Sequence, residues 1–261
     1  MCRGIPCCPP AGRNWPRTKD NAVILAAGEG SRMVPLAYDT PKALADVRGE
    51  RLIERQIGQL HDAGIYDISI CVGYLKEMFE YLIDRFHVKL IYVSDYSQRD
   101  NLATLYHARG MLQNSYILGS DTYLEENPFH LYEYDSWCAA APNTQASTGW
   151  GAKVDGRGHI KSIAYGPGNG LLLQGPVFFS RQASEKMRMY LDQYYNDPVM
   201  YGAPWIEILR RHIDEFPLYA NKLDGMRQLE TLEQLRAFDA SYLNSPVNSE
   251  MHIIARELGV G

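Results

Sequence analysis

Between Leu25 and Lys42 the chain concentrates residue types that can hold a polyphosphate. Leu25-Ala26-Ala27-Gly28-Glu29-Gly30-Ser31-Arg32 closes a short apolar run with two glycines and a cation, and Lys42 adds a second cation ten residues on. Glycines let the backbone turn sharply and approach a ligand closely. Their N–H groups can then line up on phosphate oxygens. Pro35 and Pro41 stiffen the connection between the two cations. A triphosphate needs such a clamp, because its charge must be neutralised and its α-phosphorus held in line with a nucleophile.

Asp121 follows the apolar run Ser115–Leu118. A carboxylate there can hold Mg2+, a hard ion that prefers oxygen and bridges to phosphate. The metal would polarise an α-phosphoryl group and relieve the charge on leaving pyrophosphate. No nucleophile paired with a base stands out, and His61, His87, His107, His159 and His212 are scattered. An attacking phosphate monoester oxygen is already anionic at neutral pH, so no general base is needed. Two other phosphate motifs fit less well. A dinucleotide fingerprint wants a third glycine where Met33 stands, and an acid at the end of the second strand, where the chain has Val72-Gly73-Tyr74. The P-loop pattern G-x-x-x-x-G-K-[ST] is absent.

The elements that must position these residues follow from hydrophobic period. Ala22–Ala27, Asp67–Val72, Val88–Val93 and Ser115–Leu118 read as buried strands. Between them Leu52/Ile53/Ile57/Leu60, then Leu75/Met78/Phe79/Leu82/Ile83/Phe86, then Leu102/Leu105/Tyr106/Leu112 recur at helical spacing. This βαβαβαβ order predicts an α/β, Rossmann-like fold: a mostly parallel sheet with helices on both faces. Ligands in such sheets bind at the carboxyl ends of the strands, which is where the glycine loop and Asp121 fall. After Asp121 the rhythm changes. Trp137–Ala141, Trp150–Val154, His159–Ala164 and Leu171–Phe179 predict an antiparallel extension, with Asp155-Gly156-Arg157-Gly158 as a hairpin turn. Helices are predicted over Arg181–Tyr194, Trp205–His212 and Thr231–Phe238, the last with Thr231 and Gln234 as a capping box. The expected organisation is a disordered tail over residues 1–20, one domain over 21–243, and a helical tail over 244–261.

The motif Leu25-Ala26-Ala27-Gly28-x-Gly30-Ser31-Arg32-Met33, followed by Pro35-Leu36 and Pro41-Lys42, resembles the signature of the sugar-nucleotide pyrophosphorylase and nucleotidyltransferase superfamily. Ile53-Glu54-Arg55-Gln56-Ile57, Val72-Gly73-Tyr74, Glu80–Ile83, Asp100-Asn101-Leu102-Ala103-Thr104-Leu105 and Ser115–Leu118 are similar to its bacterial CTP:phosphocholine cytidylyltransferases, over about residues 21–240. The resemblance implies a Mg2+-dependent transfer of CMP from CTP to phosphocholine. Arg32, Lys42 and Asp121 would carry catalysis. Gly73, Tyr74, Asn101 and Thr104 would fall in the region reading base and ribose, with Ser120 and the loop Leu25–Arg32 completing the nucleotide site. Glu230 matches a second acidic metal position, where relatives commonly carry Asp. Some relatives are fused to a choline kinase, which is therefore an expected partner. A sugar-1-phosphate nucleotidylyltransferase is the alternative enzyme.

Choline is a quaternary ammonium, held by aromatic faces and a nearby carboxylate. Trp150, Trp205, Tyr123 and Glu207 are the acceptor candidates. Two departures from the family pattern motivate a third reading, a non-catalytic nucleotide-binding module. Relatives often carry Asp-x-Asp where this chain has Gly119-Ser120-Asp121, and an acid directly after the tryptophan where it has Ile206.

Composition narrows the partners. Hydrophobic residues make up 46% and charged residues 22%, the balance of a globular protein with a buried core. A formal charge of −5 argues against a nucleic-acid partner, which selects for basic excess. No apolar run is long enough to span a bilayer and no signal-peptide core opens the chain, so a cytoplasmic location is expected. Of the five cysteines, Cys2, Cys7 and Cys8 sit in the N-terminal tail, while Cys71 and Cys138 lie in strand-like runs and read as core.

Overall fold

The apolar run behind the glycine loop forms the middle of a parallel sheet. The structure, a computed structural model, describes residues 17–18, 21–143, 148–168 and 170–243. The expected tails, with Cys2, Cys7 and Cys8, lie outside the described residues except for Arg17–Thr18.

Four parallel strands carry the first half: β1 (Asn21–Ala26), β2 (Ile68–Val72), β3 (Lys89–Tyr92) and β4 (Ser115–Gly119). Their order across the sheet is β3-β2-β1-β4. The chain thus winds one way from β1 to β3, then crosses back to lay β4 on the other side of β1. Leu25 is level with Cys71 on β2 and with Gly119 on β4. The carboxyl ends of β1 and β4 therefore open together at a topological switch point, where α/β sheets bind ligands.

Both faces of β1, β2 and β4 are covered, which is why they read as continuous apolar runs, while β3 at the sheet edge is half-exposed. Val23, Cys71 and Ile117 face one core, packed with helices α3 (Asn101–His107), α4 (Arg181–Tyr194) and α5 (Ile206–His212). Ile24, Ile70 and Leu118 face the other, packed with α1 (Leu52–Asp62) and α2 (Tyr81–Phe86). A third cluster joins Met33, Leu36, Tyr123, Leu229 and α6 (Leu232–Phe238), so the glycine loop is clamped against the C-terminal part of the domain. Thr231 caps α6 with the reciprocal bonds of a capping box.

The second half extends the sheet, chiefly with antiparallel pairs. Its strands are β5 (Trp137–Pro142), β6 (Thr148–Val154), β7 (Ile160–Pro167), β8 (Leu171–Phe179) and β9 (Tyr219–Lys222). β8 runs antiparallel to β4, β5 and β6, and β6 to β7. The exception is β9, which is parallel to β5. The β6–β7 turn is held by Asp155, whose Oδ1 accepts from the backbone N–H groups of Arg157 and His159. Cys71 and Cys138 are buried, and burial pushes both thiols up to about 12.

Two helices differ from expectation. The stretch Leu75–Phe86 opens with Leu75 in the left-handed region (φ 46°) and a tight turn over Lys76–Phe79, and only then becomes α2. That tight turn puts Phe79 fully inside the second core. The helix expected through Leu112 ends at His107, and the separate tight turn Arg109–Met111 includes Gly110, a poor helix residue. No helix among the described residues is long and apolar enough to cross a membrane.

Candidate active site

Gly30 takes φ 67°, and its carbonyl accepts from Met33 N–H at 2.7 Å, which starts a tight turn over Ser31–Met33. Met33 is buried in the third cluster and anchors the loop from behind. Arg32, beside it, points outward with 63% of its side chain exposed. Gly73 is needed for close packing: a Cβ there would stand 2.7 Å from the Ala27 carbonyl oxygen and 2.6 Å from the Tyr96 ring. The next residue, Tyr74, donates its N–H to that same carbonyl. Lys42 opens another tight turn, whose Ala43 and Leu44 are buried in the second core.

Asp121 lies directly beyond β4. Ser120 N–H donates to Leu25 O at 3.2 Å, and the Asp121 carbonyl accepts from Leu229 N–H at 2.7 Å. A short antiparallel ladder of Thr122–Leu124 with Met226–Gln228 continues from there and delivers Glu230 to the same end of the sheet. Lys42 Nζ donates to Asp121 Oδ2 at 2.8 Å, and Arg32 Nη1 to Glu230 Oε2 at 2.7 Å. Gln228 Nε2 holds the other Glu230 oxygen at 2.7 Å. The four charged residues singled out from sequence thus form two ion pairs. Lys42–Asp121 is the more enclosed, with side-chain exposures of 21% and 14%.

Among the described residues no group of three or more His, Cys, Asp or Glu could hold a metal. The protein's offer here is two carboxylates, Asp121 and Glu230. That suits Mg2+, which keeps waters and takes substrate phosphate oxygens alongside one or two carboxylates.

The remaining candidates scatter. Two of them are buried. Tyr123 is buried against the Phe238 ring, with the Arg55 guanidinium 4.6 Å from its ring centre. Thr104 is buried on α3, its carbonyl facing the Cys71 thiol. Ser120 is buried too, and its hydroxyl has no partner. Asn101 uses its side-chain oxygen to accept from Trp205 N–H at 2.9 Å, fixing the entry to α5. Trp150 and Trp205 are half-buried against the first core, edge-on to Tyr165 and Phe179 respectively. Glu207 is held by Arg210 and Arg211 of its own helix, and the hydrogen bonds from Arg210 keep its carboxyl below the usual range. Ile206 packs against the first core. Gln56 carries the family resemblance in the sequence but no site role was expected of it. It is a polar residue inside the apolar stripe of α1, and that mismatch was the available signal.

With this geometry in hand, comparison with known proteins decides the family. Residues 22–194 match the MobA-like NTP transferase domain. The chain belongs to that family. It is 31% identical over 220 residues to choline-phosphate cytidylyltransferase of Streptococcus pneumoniae, covering 84% of this chain and 96% of that one. It is 30% identical over 231 residues to 2-aminoethylphosphonate cytidylyltransferase of Lancefieldella rimae, covering 86% and 94%. The solved structure of the CTP:phosphocholine cytidylyltransferase from Streptococcus pneumoniae aligns with a TM-score of 0.82 at 30% identity, over 85% of this chain and 98% of the other. The protein is thus a nucleotidyltransferase of the cytidylyltransferase group. The MobA-like match begins on β1 and includes Arg32, Lys42 and Asp121.

Proposed function

We propose that this cytidylyltransferase moves CMP from CTP to phosphocholine, with Mg2+ as its metal. The observation that carries the reading is the Lys42–Asp121 pair at the joint carboxyl ends of β1 and β4, flanked by Arg32 and Glu230. A phosphocholine oxygen attacks the α-phosphorus of CTP. A new P–O bond forms, the bond to the α–β bridging oxygen breaks, and pyrophosphate leaves with that electron pair. Arg32 and Lys42 hold the triphosphate and neutralise its charge. Asp121 and Glu230 would hold Mg2+, which when bound supplies further charge neutralisation at the α-phosphate and on pyrophosphate. The nucleophile is anionic already, so the residues act by position and charge. Trp150 and Trp205 offer aromatic faces to a quaternary ammonium. A choline kinase, fused or separate, would supply the acceptor.

A second acceptor, 2-aminoethylphosphonate, is favoured by one observation: the Lancefieldella rimae relative is matched almost as well as the pneumococcal one. Both acceptors carry a terminal cation and an anionic phosphorus oxygen. The test is pyrophosphate release with Mg2+, each NTP, and phosphocholine, phosphoethanolamine, 2-aminoethylphosphonate or hexose 1-phosphates. Release with CTP and phosphocholine, well above the other acceptors, is expected. Preference for the phosphonate moves the acceptor, preference for a hexose phosphate sinks the phosphocholine reading, and no release despite NTP binding points to a non-catalytic module.

A further inference from the structure

Residue Gln56 sits in the second turn of α1 and is 1% exposed. A buried amide in an apolar stripe is costly unless its hydrogen bonds are made. Its Nε2 donates to Gly119 O at 2.9 Å and to Thr122 O at 2.8 Å. Both partners are carbonyls, so the amide must present its NH2 to them, and both of its donors are used. The only residues between those two carbonyls are Ser120 and Asp121. Gln56 therefore bridges the two ends of the turn from which the Asp121 carboxylate projects to Lys42.

The rest of α1 holds the following residues differently. Arg55 Nε and Gln59 Nε2 both donate to Leu124 O, each at 3.0 Å, three residues beyond Asp121. These bonds secure the short strand, while the Gln56 bonds secure the turn. The turn's own hydroxyls add nothing to these bonds. The hydroxyls of Ser120 and Thr122 are buried without partners, as is Gln56 Oε1.

We propose that Gln56 is a positioning residue for the transfer reaction: by bridging Gly119 and Thr122 it fixes where the Asp121 carboxylate stands. This rests on the reading of Asp121 as a working carboxylate. Ser120 N–H to Leu25 O and Leu229 N–H to Asp121 O tie the turn from its other sides, so losing the two donors beneath it loosens the stance of Asp121 while β4 stays paired with β1 and β8. An ångström of misplacement at a charge-neutralising group costs about 100-fold in rate.

The experiment compares Gln56→Met, Gln56→Glu, Gln59→Met and Asp121→Ala. Each is measured for kcat, for KM of CTP, for thermal midpoint, and for Mn2+ binding with CTP by electron paramagnetic resonance. Gln56→Met keeps volume and loses both donors. It should lower kcat about 30- to 100-fold, change KM for CTP less than 5-fold, and weaken Mn2+ binding about 10-fold. Gln56→Glu, protonated in this buried place, keeps one O–H donor and should fall between Gln56→Met and the parent. It also tests the idea if Gln56→Met cannot be purified. Gln59→Met loses a comparable buried bond, so it should lower the thermal midpoint while leaving kcat and Mn2+ binding unchanged. The proposal is overturned if kcat and Mn2+ binding survive in Gln56→Met, if Gln59→Met loses kcat equally, or if Gln56→Glu matches the parent. An active Asp121→Ala would instead overturn the site reading beneath it.

Discussion

Replacing Gly119 by Ala should separate activity from stability. A Cβ at Gly119 would stand 2.7 Å from Asp121 Oδ1, whereas an ordinary C···O contact is about 3.4 Å. The carboxylate must therefore retreat by about 0.7 Å, and its partner oxygen is the one bonded to Lys42 at 2.8 Å. A displacement of that size at a group that works by position predicts a fall in kcat of about 100-fold, or roughly 2.7 kcal/mol of barrier. The fold has no reason to suffer. The atom met is the free end of a side chain, Gly119 does not have positive φ, and it lies within the paired strand β4. Losing a glycine also restricts the unfolded chain, which stabilises by about 0.4–1 kcal/mol where the backbone is compatible. For a chain of this size the thermal midpoint should stay level or rise by up to about 4 °C. Pyrophosphate release at saturating CTP and acceptor, beside a thermal melt, reads both quantities. A kcat within threefold of the parent would refute the claim that the exact stance of Asp121 matters. A fall in both kcat and midpoint would refute the claim that only the side chain moves.

Lys42→Ala and Asp121→Ala should each cut turnover by about 1,000-fold while moving the thermal midpoint little, because partly exposed pairs contribute only about 0.2–1 kcal/mol; near-normal rates in either would remove that residue from the site. Thr231→Ala removes the cap of α6 and should cost about 1 kcal/mol of stability; an unchanged melt would show that the third cluster, not the cap, sets that helix. The Arg210 bonds hold the Glu207 carboxyl below its ordinary value of 4.5, so this stabilisation is present above that pH and is lost as pH falls through the lowered folded value. Glu207→Gln should therefore lower the midpoint at neutral pH, with the gap to the parent closing as pH falls through the lowered folded value; a gap that persists in acid would assign the loss to packing.

Parallel strands β1, β2 and β4 were legible because both their faces are buried, which leaves uninterrupted runs such as Ala22–Ala27. The Asp155–Gly158 hairpin and the Thr231–Gln234 capping box were legible because they rest on contacts between near neighbours. The three-residue strands Thr122–Leu124 and Met226–Gln228 were not. Three residues carry no measurable period, and their pairing joins positions about a hundred residues apart. Yet that ladder is what brings Glu230 to Arg32. The burial of Tyr123 was hidden for the same reason, since its neighbours Leu229 and Phe238 arrive from the far end of the domain. Glu207 is a different case. Its partners at i+3 and i+4 were visible in the sequence, and that spacing on a helix favours ion pairs over a free acceptor carboxylate.

On the proposed reading, the two ion pairs would let one site serve a triphosphate and a metal. Arg32 and Lys42 follow β1, Asp121 follows β4, and Glu230 follows the short ladder, so only the β3-β2-β1-β4 crossover brings them together. Their charges sum to zero. On that reading a bound triphosphate would compete for the two cations, and each cation taken would release a carboxylate toward Mg2+. The exchange would cost least at the more exposed Arg32–Glu230 pair, in the range of about 0.2–1 kcal/mol. Nucleotide and metal would then enter with their charges compensating one another, and neither would have to meet an uncompensated charge at the mouth of the sheet. A site built from four like charges would attract one ligand and repel the other. Two opposed pairs, held apart by the backbone and joined only through side chains, accommodate both.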